Sequence, residues 1–154
     1  MIGEGDAAPD FELSADDGSA VCLGKLRGRR VVLYFYPKDD TPGCTAQACE
    51  FTALMPRIDE AGAVVLGVSP DDVASHAKFK NKYDLNFPLL ADTDHAVAVA
   101  YGVWKAKSTY GRTSMGIERS TFVIAPDGTI EKAWRKVRAK GNAEMVAAAL
   151  GALD

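Results

Sequence analysis

Val31-Val32-Leu33-Tyr34-Phe35-Tyr36-Pro37-Lys38-Asp39-Asp40-Thr41-Pro42-Gly43-Cys44-Thr45-Ala46-Gln47-Ala48-Cys49-Glu50-Phe51 decides how this chain is read. Val31 to Tyr36 is an unbroken apolar and aromatic run of strand length, the pattern of a strand covered on both faces. Pro37 stops it, and Asp39 to Gly43 reads as a turn. A helix is expected from about Cys44 to Ala61, with Phe51, Leu54 and Ile58 on one buried face. Pro56 falls inside it and is expected to kink or split it. The first turn of a helix has N–H groups without intrahelical acceptors and the positive end of the dipole. Cys44 lies there, where a cysteine is favoured as the reactive thiolate. A buried, inert cysteine is the alternative reading of that position.

The flanking sequence supplies the rest of an α/β domain. Phe11 to Leu23 alternates around an Asp17-Gly18 turn and suggests a small N-terminal β-hairpin. Ala63 to Val68 is a second buried strand. Ser69-Pro70-Asp71-Asp72 resembles a helix start, with Ser69 as cap and Val73, Phe79 and Tyr83 inward. Phe87 to Ala91 is a short strand, followed by a helix capped by Asp92 or Thr93 and ending near Tyr101. Ser120 to Ala125 and Thr129 to Trp134 flank the turn Pro126-Asp127-Gly128 and should pair. Asn142 is expected to cap a last helix with Met145, Val146, Ala149 and Leu150 facing the core. The order is hairpin, βαβα, βαββα: a central mixed sheet flanked by helices. Its last hairpin and helix resemble the second half of a thioredoxin fold.

Composition agrees with one domain over residues 1–154. A chain of this size buries roughly 68–70% of its unfolded surface, enough for a core without disulfide or metal. A net charge of −3 argues against non-specific nucleic-acid binding. The basic stretch from Lys132 to Lys140 reads as a solvated strand end and loop. No apolar run approaches membrane-spanning length, and no signal peptide is recognised, so a cytoplasmic location is expected. The three cysteines are an odd number and cannot all pair internally. Cys22 reads as a small buried apolar residue. Trp104 and Trp134 read as packing residues. No spacing among the cysteines, His76 and His95 suggests zinc.

Cys44 and Cys49 are five positions apart. On an intact helix that gives a Cα separation of roughly 8.7 Å. Disulfides usually need less than about 6.8 Å, so this pair bridges only if the backbone moves. The spacing suits a redox pair that bonds after the first helical turns unwind. The alternative is that Cys49 is a core cysteine.

The string Pro37-x-x-x-Thr41-x-x-Cys44 resembles the active-site motif of the peroxiredoxins. Tyr36 to Thr45, with Cys49 following, is similar to their bacterioferritin comigratory protein, or Q-type, subfamily. The likeness extends from Ala8-Pro9-Asp10-Phe11 to Arg119-Ser120-Thr121-Phe122 and the final helix. It implies a thioredoxin-like fold with an N-terminal extension, and reduction of hydrogen peroxide and organic hydroperoxides. By the resemblance, Cys44 is the peroxidatic cysteine, Thr41 the hydroxyl that bonds thiolate and peroxide, and Arg119 the active-site arginine. Pro37 shields the thiolate, and the N–H groups of Gly43 and Cys44 complete the donor set. Cys49 matches a resolving cysteine that closes an intramolecular disulfide, recycled by thioredoxin or a similar dithiol. The resemblance implies no metal, flavin or haem, and leans to a monomer. The absence of a Gly-Gly-Leu-Gly segment and of a C-terminal Tyr-Phe pair implies resistance to excess peroxide. A redox sensor or holdase using the same cysteine pair, and a general thiol–disulfide oxidoreductase, are the competing readings. The latter expects Cys-x-x-Cys, which the chain lacks.

Overall fold

The structure is a computed structural model that describes residues 1–153, and of Thr109 only the backbone. Asp154, the last residue of the expected domain, lies outside the described residues. Two short strands come first, β1 (Glu12–Ala15) and β2 (Ala20–Cys22), followed by a short 3-10 turn. Then come β3 (Arg30–Phe35), α1 (Pro42–Glu60), β4 (Ala63–Ser69), α2 (Val73–Tyr83), β5 (Leu89–Ala91) and α3 (Ala96–Ala100). The chain continues through β6 (Trp104–Thr109), β7 (Arg112–Ile117), β8 (Ser120–Ile124), β9 (Ile130–Trp134) and α4 (Asn142–Gly151). Seven strands form one sheet in the order β2-β1-β5-β4-β3-β8-β9, while β6 and β7 form a separate two-stranded ribbon. Strands β3, β4 and β5 run parallel; the remaining pairs of the sheet are antiparallel.

The unbroken apolar run of β3 follows from its central place. Strand side chains alternate between faces. Val32, Tyr34 and Tyr36 enter one core with Phe51, Ile58 and Val146, under α1 and α4. Val31, Leu33 and Phe35 enter the other with Tyr101, Phe122 and Leu90. Gly67 of β4 allows close approach here: a Cβ would lie 3.1 Å from both the Tyr34 ring and Leu89. The Tyr34 ring is thereby free to stack on Phe51, with centroids 4.8 Å apart.

Several expected details differ. Pro56 does not split α1, which runs 19 residues unbroken. Proline lacks the N–H that would satisfy the carbonyl four residues back; Asn86 Nδ2 donates to that Thr52 carbonyl instead, at 3.2 Å. Asp72, not Ser69, caps α2, its carboxylate accepting from Ser75 N–H. Phe79 is buried as expected and Tyr83 packs partly buried against the same core, while His76 rather than Val73 is the other buried residue of α2. Asp92 does meet the start of α3, accepting from the N–H groups of Val97 and Ala98. Gly141, not Asn142, precedes α4 as its cap. Asn142, Ala143, Val146, Ala147 and Leu150 form the buried face of α4, and Met145 is exposed. Arg135 is not a solvated member of the basic stretch. It donates to the carbonyls of Ile2, Tyr101 and Gly102 and lies over the Phe122 ring. The β6–β7 ribbon lacked a clear sequence pattern because its residues are mostly exposed on both faces.

Candidate active site

The loop from β3 to α1 is held before the helix begins. Asp39 is buried, and its carboxylate accepts from Tyr36 Oη (2.6 Å) and Ser75 Oγ (2.8 Å), with His76 Nδ1 at 2.7 Å. His76 Nε2 lies 2.9 Å from the Leu90 carbonyl, which can only accept, so that nitrogen carries a proton. The Asp39 N–H donates to Asp71, which also accepts from Ser69 Oγ. Asp40, at φ +57°, accepts from Lys82 Nζ and Tyr83 Oη. Those two hydrogen bonds, Lys82's foremost, hold the Asp40 carboxyl below its usual range. The loop is thus clamped to α2 at two successive residues.

Thr41 caps α1 in an extended conformation and Pro42 follows, preset for a first helical turn. The carbonyl of Thr41 accepts the N–H of Thr45. The N–H groups of Gly43 and Cys44 come one turn too early for an acceptor within the helix. Cys44 is 1% exposed. Its Sγ accepts from Arg119 Nη2 at 3.3 Å. Arg119 sits between β7 and β8, 75 residues away in sequence, and the sheet brings it to the helix end. Its other terminal nitrogen donates to Gln47 Oε1 at 2.5 Å. The sulfur therefore faces a fixed cation and the positive end of a helix, an arrangement that stabilises negative charge on it.

Gly43 leaves room for this cation: a Cβ there would meet Arg119 Nη2 at 3.4 Å. Thr41 Oγ1 donates to the Lys38 carbonyl at 2.9 Å. Its hydrogen is therefore engaged with Lys38 rather than with Cys44. Pro37 and Arg119 line one cleft of about 400 Å³ with Lys105, Lys107, Ile117 and Lys136. Cys49 is half-buried on α1 and packs against the core that contains Cys44; both thiols are free and the helix is continuous between them.

Cys22 is not the buried apolar residue expected. It is partly exposed and donates to Glu12 Oε1 at 2.8 Å. That hydrogen bond, followed by desolvation, raises its thiol above the ordinary value.

Sequence reasoning passed over the polar residues behind Arg119. Gln47 is fully buried; its Nε2 donates to Asn142 Oδ1 at 3.0 Å, which also accepts from Thr121 Oγ1 at 2.9 Å. The signal was present for Gln47: a polar residue three positions after Cys44 shares its helix face with Phe51, otherwise an apolar face. Tyr34 also lies near the cysteines. Burial first, and then the charge of ionised Cys44, push its hydroxyl well above the usual phenol range.

Among the described residues, Asp39, Asp71 and His76 form the one group of side chains close enough to share a metal ion. Their ligand atoms are engaged with one another and with Tyr36, Ser69 and Ser75. The cluster fits a structural clamp.

The AhpC/TSA family model matches residues 4–133. Peroxiredoxin Bcp of Bacillus subtilis is 50% identical over 138 residues, covering 90% of this chain and 88% of the relative. A putative peroxiredoxin bcp of Coxiella burnetii is 48% identical, covering 92% and 95%. Among solved structures, the bacterioferritin comigratory protein of Xanthomonas campestris superposes with a TM-score of 0.89 at 47% identity, covering 92% and 90%. That protein was studied for alkyl peroxide reduction in trapped intermediate and ligand complexes. A cysteine-to-serine variant of Xylella fastidiosa PrxQ gives a TM-score of 0.94 at 39% identity, covering 99% and 97%. With its helix-end cysteine, its partner arginine and its thioredoxin-type sheet, the chain belongs to the AhpC/TSA family, on the Bcp and PrxQ branch of the peroxiredoxins.

Proposed function

We propose that this protein is a thiol peroxidase that reduces hydrogen peroxide and organic hydroperoxides through Cys44, Cys49 and an external dithiol. The observation that carries the reading is the Cys44 sulfur, buried at a helix N-terminus and 3.3 Å from a guanidinium beside a cleft. The Cys44 thiolate attacks the terminal oxygen of ROOH. The O–O bond breaks, the alkoxide leaves and is protonated, and Cys44 becomes a sulfenic acid. Arg119 and the N–H groups of Gly43 and Cys44 stabilise the charge that passes from sulfur to oxygen. Thr41, whose own O–H donates to the Lys38 carbonyl, accepts a hydrogen bond from the hydroperoxide O–H, which stays on the transferred oxygen. Pro37 closes the thiolate off from bulk water.

The first turns of α1 then unwind, and the Cys49 thiol displaces water from the sulfenic acid to form the Cys44–Cys49 disulfide. Thioredoxin, or a carrier like it, reduces that bond by thiol–disulfide exchange and is itself oxidised. The same reading takes it as a single domain acting in the cytoplasm, and as a monomer because its resolving cysteine lies in the same chain as the peroxidatic one. Two cysteine-to-serine variants of Xanthomonas campestris peroxiredoxin Q, substituted at positions 36 apart in that chain, are in keeping with two-cysteine chemistry in this branch; the pairing of Cys44 with Cys49, five apart, is proposed for this chain.

The test is coupled turnover with thioredoxin, thioredoxin reductase and NADPH. Sustained peroxide-dependent NADPH oxidation that disappears in Cys44→Ser supports the reading. Oxidation that occurs once and does not cycle contradicts it and favours a sensor.

A further inference from the structure

Asn142 is a buried polar side chain that the peroxide chemistry leaves without a task. It stands at the first position of α4, 3% exposed. Its Oδ1 accepts two hydrogen bonds, from Gln47 and Thr121, while its Nδ2 is buried without a partner. Burying that unpaired donor is a cost, offset by the two buried donors that the side-chain oxygen satisfies. What Asn142 supplies is an acceptor. An acceptor opposite Gln47 fixes which way the Gln47 amide points: its NH2 toward Asn142 and its oxygen toward Arg119. Without it, only the guanidinium still holds the Gln47 amide, which loses its anchor on the NH2 side and with it a fixed distance from Arg119.

We propose that Asn142 is a positioning residue for the peroxide reaction, acting through Gln47 to hold the Arg119 guanidinium over the Cys44 sulfur. The proposal rests on peroxide reduction at Cys44. It also ties α4 to the redox cycle. Gln47 lies between Cys44 and Cys49, in the turns that must unwind for their disulfide. Unwinding withdraws Gln47 from Asn142 and frees Arg119, so the Asn142 acceptor favours the wound, peroxide-reactive helix.

The test uses the full chain, fully reduced, in two reactions. One is the rate of reaction with hydrogen peroxide. The other is alkylation of Cys44 by iodoacetamide, which needs the thiolate but places no charge on a leaving oxygen. In Asn142→Ala the peroxide rate is expected to fall roughly tenfold and the alkylation rate by clearly less, because Arg119 faces the thiolate in both reactions but a charged leaving oxygen only in the first. Asn142→Asp keeps acceptor oxygens for both donors and is expected to recover to within about threefold of the unmodified protein. An unchanged peroxide rate in Asn142→Ala, whatever its melting temperature, overturns the proposal. So does an equal fall in both reactions, which marks a general structural loss, or an Asp variant no better than Ala. An unmodified protein that does not react with peroxide at all would instead remove the proposed function on which this rests.

Discussion

The reactivity proposed for Cys44 depends on groups that sequence distance hides. The loop residues Thr41, Pro42 and Gly43 set the helix end, and that part could be read directly from the string around Cys44. Arg119 could not. Taken alone it is one arginine near the start of a strand, and only the family resemblance singled it out. The fold supplies the physical reason: β8 lies beside β3, pairing Phe35 with Ser120, so the residue before Ser120 reaches the end of the strand that leads to Cys44. Replacing Arg119 by Ala removes the cation beside the sulfur, which in the proposed reaction also faces the leaving oxygen. The rate constant with hydrogen peroxide is expected to fall by about 10²–10³-fold, measured on the reduced protein by stopped flow. A fall of less than about threefold would leave Arg119 only a packing role.

The active-site helix is the element on which the cycle turns. Its continuity was misread because Pro56 argues for a break. The compensating donor, Asn86, lies beyond β4 and α2, and no local pattern announces a side chain that replaces a missing N–H. The β6–β7 ribbon escaped for a different reason: exposed on both faces, it has no hydrophobic alternation to read. The strands β3 and β4 and the helix α1 were legible because burial dictated their composition. The reporter of helix unwinding is also set at this scale. Trp134 packs against the core shared by Cys44 and Cys49, whereas Trp104 stacks on His95 in a different part of the molecule. Oxidation should therefore change tryptophan emission through Trp134. Trp134→Phe is expected to abolish the redox-dependent change while Trp104→Phe keeps it; the reverse result would place the rearrangement elsewhere.

For the whole molecule, the sheet divides two cores, and three of the five tyrosines are buried in them. Burial raises the hydroxyls of Tyr34, Tyr36 and Tyr101 above the ordinary value of 10.0. Their neutral forms fit the folded state, so this stability is fully present below about pH 10 and is lost as pH rises toward the folded values. Alkaline unfolding should therefore be accompanied by tyrosinate absorbance from these three residues, appearing with the loss of far-ultraviolet helicity. Tyrosinate from all three ahead of that loss would show that the cores admit hydroxide. The two-cysteine cycle itself is tested most directly by adding one equivalent of hydrogen peroxide to the fully reduced protein, counting free thiols and mapping any disulfide by peptide mass. The expected result is a fall from three thiols to one, with Cys44 joined to Cys49 and Cys22 left as the free thiol. Three surviving thiols would contradict the account at its centre, because Cys44 would then not be an activated nucleophile.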